Sequence, residues 1–138
     1  SLSIFIAAFL GVIFIIHFAA YAFYAFRCVF TTKAFVDQYG MGDGAAIMTR
    51  FFGSFIVGTV LMAIYIGFIR ADGLANTWAF FNLVFLNNLC IFLCNSYSIL
   101  VDKTGVNKKT GMEPVFSPLI FLVLSAILCY GLSDKIYV

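Results

Sequence analysis

The sequence predicts an all-α fold: a polytopic integral membrane protein whose four transmembrane helices form a bundle, with residues 1–138 as one membrane domain. Three observations predict it. The chain is 64% hydrophobic and only 10% charged, with a mean hydropathy of +1.08, whereas a soluble domain carries about 25% charged residues. The few charges gather between four long apolar runs. Each run is long enough to cross a hydrocarbon core of about 30 Å at about 1.5 Å per helical residue. A water-soluble surface cannot be built from this composition, but lipid accepts Leu, Ile and Phe directly. The net charge of +2 is too small to suggest nucleic acid, and the bilayer is the partner this composition demands.

The first span is expected over residues 2–26, without a formal charge. Ala20-Tyr21-Ala22 has the small-x-small shape of a signal cleavage site. No basic residue precedes the run, and the run is long, so a retained helix is expected. Residues 27–43 mix Arg27, Lys33, Asp37 and Asp43 with Phe30, Phe35, Val36 and Tyr39. That mixture suits either a short interfacial helix or an irregular loop, and Asp43 is a candidate N-cap for the next helix. The second span is expected over 45–69, and Arg50 and Arg70 bracket its 19 uncharged central residues. Small residues recur there as Thr59, Ala63 and Gly67, with Ser54 and Gly58 a second pair. Such spacing lets another backbone approach, so this helix is expected to pack tightly.

The turn at 70–75 is short and is expected to make the second and third spans antiparallel neighbours. The third span, 76–101, holds five asparagines, no charge and no proline. Place its residues on a helical wheel that starts at Asn76. Cys94 then falls in line with Asn76, Asn87 at ~20°, Ser98 at ~40°, Asn95 at ~100° and Asn88 at ~120°. With Cys90 at ~320°, these groups share an arc of ~160°, and Asn82, at ~240°, falls outside it. Carboxamides are costly in hydrocarbon. The arc of Asn87, Asn88, Asn95, Cys94 and Ser98 is therefore expected to face protein, as polar packing, or water, as a pore face. Cys90 and Cys94 are expected to be buried packing thiols, since a metal would need further ligands. The fourth span, 115–132, has Pro118 in its first turn, where a missing N–H costs little. It carries its own small-residue stripe in Ser117, Ser125 and Cys129.

Charge sets an orientation. The first and third connections, with Arg50, hold Arg27, Lys33, Arg50, Lys103, Lys108 and Lys109, against Arg70 and Lys135 on the other side. The positive-inside rule puts loops 27–44 and 102–114 in the cytoplasm and both termini opposite. Arg27, Lys33, Lys108 and Lys109 are then expected at lipid headgroups.

His17 is the only histidine and lies inside the first span, with Tyr21 and Tyr24 on the same face. An intramembrane histidine is a candidate for cofactor binding, as a pigment or haem ligand. The simpler reading is a neutral imidazole bonded to a tyrosine or to an asparagine of the third span. All six acidic residues, Asp37, Asp43, Asp72, Asp102, Glu113 and Asp134, lie outside or at the edges of the apolar runs. That argues against ion-coupled transport. No nucleophile–base set is present, so no catalytic residue is assigned and an enzyme is not favoured. No metal site is assigned. A polar arc this wide is hard to satisfy within four short helices. The chain is therefore expected to join identical copies or other membrane subunits. Its expected role is a structural or accessory subunit of a membrane assembly, beside a pigment or haem if His17 is a ligand. The alternative is a small homo-oligomeric channel or carrier using the polar face of the third span.

Overall fold

The computed structural model describes residues 1–137, which are largely helical with no strand among them. The helices are α1 (Leu2–Phe30), α2 (Thr32–Gln38), α3 (Ala46–Ile64), α4 (Trp78–Tyr97), α5 (Glu113–Gly131) and α6 (Ser133–Ile136). A 3-10 turn (Asp43–Ala45) leads into α3, and π-helical turns (Tyr65–Ile69 and Ser98–Asp102) extend α3 and α4. Four helical stretches, Leu2–Phe30, Asp43–Ile69, Trp78–Asp102 and Glu113–Gly131, are long and apolar enough to cross a membrane. The chain is a multi-pass membrane protein of bundle type.

The order of packing differs from the order of the chain. α3 packs along α1, α4 along α5, and α1 and α5 join the two pairs. The sequence expectation that the second and third spans are neighbours is therefore corrected. A short loop fixes where two helices begin and end, but not whether their sides touch. Here α1 takes the inner edge of α3, and α5 takes that of α4. A cleft remains between α3 and α4.

The residues α1 buries, Leu10, Ile13, Phe14, His17, Phe18, Tyr21, Ala25 and Cys28, recur every three or four positions, as one face of a helix must. Against α3, the contact is close because Gly53 has no side chain. A Cβ there would sit 2.7 Å from Cys28 Cβ and 2.8 Å from Val29 Cγ2. One end of the same seam is Gly67, whose added Cβ would lie 3.1 Å from the Phe14 ring, and between them Ala63 is buried. Ala63 and Gly67 thus lie on this seam. Ser54 and Gly58 do not: both are exposed, nothing lies within 4 Å of an added Cβ at Gly58, and Ser54 bonds back to Phe51 O. Thr59 likewise turns its hydroxyl onto Phe55 O at 3.0 Å. The seam lies on the face carrying Gly53 and Ala63, whose centre is about 140° of helix rotation away from Ser54.

Aromatic side chains fill the centre. Phe14 meets Phe18 and Phe81 at centroid distances of 4.9 and 6.2 Å, and Phe18 stacks on Phe80 at 5.9 Å. These rings keep the α1 and α4 backbones apart while still joining them.

Of the two readings for residues 27–43, a short helix is found: α2, where Lys33 pairs with both Asp37 and Asp43, at 3.0 and 2.9 Å. Asp43 is corrected as an N-cap, since its carboxylate turns to Lys33 and makes no capping bond. The two long loops touch: Asn107 Nδ2 donates to Gly40 O at 2.6 Å. At the other end α6 tucks under α4. Its Ile136 is fully buried, Asn76 N–H donates to Lys135 O at 3.2 Å, and Tyr137 stacks on Trp78.

Candidate functional site: the interhelical polar centre and the cleft beside it

The asparagines of α4 divide between different surroundings. The inward face of this helix carries Phe81, Val84 and Asn88. Asn88 reaches into the bundle, is 1% exposed, and meets three other side chains. Its Oδ1 accepts the Tyr21 hydroxyl. Its Nδ2 lies 3.1 Å from Phe121 O, 3.0 Å from Ser125 Oγ and 3.1 Å from His17 Nε2. A backbone oxygen only accepts, so the amide nitrogen must be the atom that faces Phe121. It follows that His17 accepts through Nε2 and is a neutral imidazole with its proton on Nδ1. The amide has two protons for three acceptors, so one bond is shared.

His17 is completely buried, and its Nδ1 has no hydrogen-bond partner. Its ring lies against Phe18, Tyr21 and Phe121, at centroid distances of 4.5, 4.5 and 5.3 Å. The expectation that His17 holds a pigment or haem is therefore corrected. A metal ligand must present a free nitrogen to the metal, and Nε2 faces the amide while aromatic rings enclose the rest. The residues around it do not fit such a group. The simpler reading, a histidine bonded to an asparagine of the third span, is what the structure contains.

Asn95 has a different task. Its Nδ2 donates to Pro114 O at 2.8 Å. The usual helical donor to that carbonyl is the N–H of residue 118, and residue 118 is a proline inside α5. The α4 amide supplies the bond that Pro118 cannot.

The rest of the expected arc does not face inward. Asn87 and Cys94 are exposed, and so is Cys90, which corrects the expectation of buried packing thiols. Ser98 bonds back to Cys94 O at 2.9 Å. The inward direction is set by Asn88, Asn95, Phe81 and Val84, which cluster at about 110° on the wheel used above. Asn87 and Cys94 stand about 90–110° away from that centre, on the helix flank. Asn82, outside the arc, folds onto Trp78 O at 2.8 Å and meets Tyr137. Asn87 makes no side-chain hydrogen bond among the described residues.

Beside the polar centre lies an open cleft of about 680 Å³, walled by α3 and α4 and floored by α1 and α5. Its walls are mostly apolar, with Met48, Phe52, Ile56 and Ile91 among them, and its floor includes Tyr21, Asn88 and Phe121. Toward the long loops it becomes polar. Tyr24 donates its hydroxyl to Glu113, and Asn95 and Tyr39 complete that end. The Tyr39 side chain is 6% exposed and its hydroxyl has no partner. Burial, and then the nearby Glu113 carboxylate, pushes that hydroxyl above its ordinary range. Sequence reasoning missed this end of the cleft. Glu113 and Tyr39 sit in separate loops, and only the Gly40–Asn107 contact and the start of α5 bring them together.

No protein-family model, no curated protein and no solved structure matches this chain.

Proposed function

We propose that the protein is a non-catalytic subunit of a membrane assembly, joined to neighbouring helices through the flank of α4 that carries Asn87, Cys90 and Cys94. One observation carries this reading: Asn87 stands midway along a span with its carboxamide unpaired and outward. An unbonded amide in hydrocarbon costs roughly 4–8 kcal/mol relative to water. A helix from another chain removes that cost. Carboxamides donate and accept, so two copies of Asn87 across a two-fold axis satisfy each other. The same span is the least enclosed of the four, with 11% of its apolar stretch buried against 22% for the first and fourth. The positive-inside rule supports cytoplasmic loops at 27–44 and 102–114, with both termini opposite.

The test is native mass in mild detergent, wild type against Asn87→Leu. Wild type should run as a defined multimer, or with fixed partner subunits when isolated from its own membrane. Asn87→Leu should shift the population to folded single chains. A wild-type protein that is a single chain in both preparations overturns the reading.

A channel or carrier reading keeps one specific observation. Asn87, Cys90 and Cys94 form a polar strip at membrane depth that an oligomer could turn toward a central pore. Asn88 and Asn95 support it less, because their amide nitrogens are committed to α1 and α5. Reconstituted wild-type protein that passes no ions or small solutes disposes of it.

A further inference from the structure

The cleft between α3 and α4 combines an apolar body with a polar end of one chemical kind. Its volume of about 680 Å³ falls within the ordinary range for small-molecule sites, about 300–1,000 Å³. No lysine or arginine is among its lining residues, and Glu113 is its one charged group. Arg27 is not among the lining residues; it is bonded to Gln38 and held over the Phe35 ring, and its guanidinium stands close to the Tyr39 hydroxyl at the edge of this end.

The polar end is rich in unused acceptors. Asn95 has spent its amide nitrogen on Pro114, which leaves its Oδ1 free. Glu113 receives one bond, from Tyr24, at Oε1, which leaves Oε2. The Tyr39 hydroxyl, which can donate as well as accept, makes no hydrogen bond of full geometry, stands close to Glu113 and Arg27, and lines the same end. A phosphate or carboxylate head would bring more acceptors to a site that already has a surplus, and would meet the Glu113 charge. An ammonium brings three donors and a positive charge. The walls are parts of two membrane spans, so the body of any occupant that reaches this cleft from the bilayer is hydrocarbon.

We propose that this cleft binds a membrane lipid with a primary-amine head, its ammonium held by Glu113, Tyr39 and Asn95 at the loop end and an acyl chain lying between α3 and α4. Cys90 and Cys94 line both this cleft and the assembly flank, but Asn87 lines only the latter, so lipid retention and the native mass of Asn87→Leu test the two readings separately.

The experiment uses the full chain in nanodiscs containing equal amounts of phosphatidylethanolamine and phosphatidylglycerol, followed by mass spectrometry of the lipid retained on release. Wild type should retain phosphatidylethanolamine in preference by about tenfold, the size of one charge-assisted hydrogen bond. Glu113→Gln keeps the side-chain shape and should bring that ratio close to one. Tyr39→Phe removes only a hydroxyl and should reduce it several-fold, which decides the matter if Glu113→Gln does not fold. Equal retention of both lipids by wild type, a preference for phosphatidylglycerol, or an unchanged ratio in folded Glu113→Gln or Tyr39→Phe protein would each overturn the proposal.

Discussion

Asn95 of α4 donates to the carbonyl of Pro114 in α5 at 2.8 Å, the carbonyl that Pro118 leaves without its helical donor. One helix thus repairs a backbone defect in another. In water such a carbonyl would simply be hydrated, but in a bilayer it must find a protein donor. The pairing also accounts for an asparagine in a span that hydrophobicity alone would fill with leucine.

This relationship predicts a coupled pair. Asn95→Leu should destabilise the wild-type protein by about 0.5–2 kcal/mol, the range for interhelical hydrogen bonds in membranes. In a Pro118→Ala background the helix regains its own N–H donor, and Asn95→Leu should then cost much less. A double-mutant cycle on thermal unfolding in detergent measures the coupling; values below about 0.5 kcal/mol would mean the two residues act separately.

Asn88 and Asn87 are adjacent in sequence and should respond in opposite ways. Asn88→Leu removes the partner of Tyr21 and of His17 Nε2 and should cost about 2–4 kcal/mol of fold stability, several times the Asn95 effect in the cycle background. Asn87→Leu should leave the unfolding midpoint of the single chain unchanged while reducing association. Thermal melts of both variants, recorded beside native mass, separate the two effects.

The α1–α3 seam makes a sharp contrast between two glycines. Gly53→Ala places a methyl group 2.7 Å from Cys28 Cβ, so the helices must separate. A loss of about 1–3 kcal/mol is expected, as for overpacking elsewhere. Gly58→Ala meets nothing within 4 Å and should be neutral or stabilising by up to about 1 kcal/mol through helix propensity. Equal melting shifts for both variants would place the seam elsewhere.

The contact between the long loops is a local latch. Gly40 has φ +67°, and a Cβ there would collide with the Asn107 side chain. Gly40→Ala or Asn107→Ala should speed hydrogen exchange across residues 103–112 at least several-fold, with little change in the global midpoint, because loops open without unfolding the bundle. Exchange that stays at the wild-type rate in both variants would show that the latch holds nothing.

The sequence by itself determined the class of protein and the number of spans. Those follow from one scalar, the balance of apolar and charged groups along the chain, which sorts segments between lipid and water. It also singled out His17 and pointed to an asparagine of the third span as one of its two candidate kinds of partner. Only the tertiary structure decided which way each helix faces. In water a helix shows its inner face by being apolar on one side; here the first, second and fourth spans are apolar nearly all round and the third carries amides on more than one side, so hydropathy gives little rotational signal. The inward direction of α4 was settled by shape and bonding instead: Phe81 and Val84 against the neighbouring rings, Asn88 among Tyr21, His17 and Ser125, and Asn95 beneath Pro114. Two amides side by side in the chain, Asn87 and Asn88, therefore part company, because a rotation of about 100° per residue takes one into the core and leaves the other on the flank. The adjacency of α3 and α1 was likewise written in a single absent side chain, at Gly53, whose meaning appears only once Cys28 and Val29 are seen lying against it.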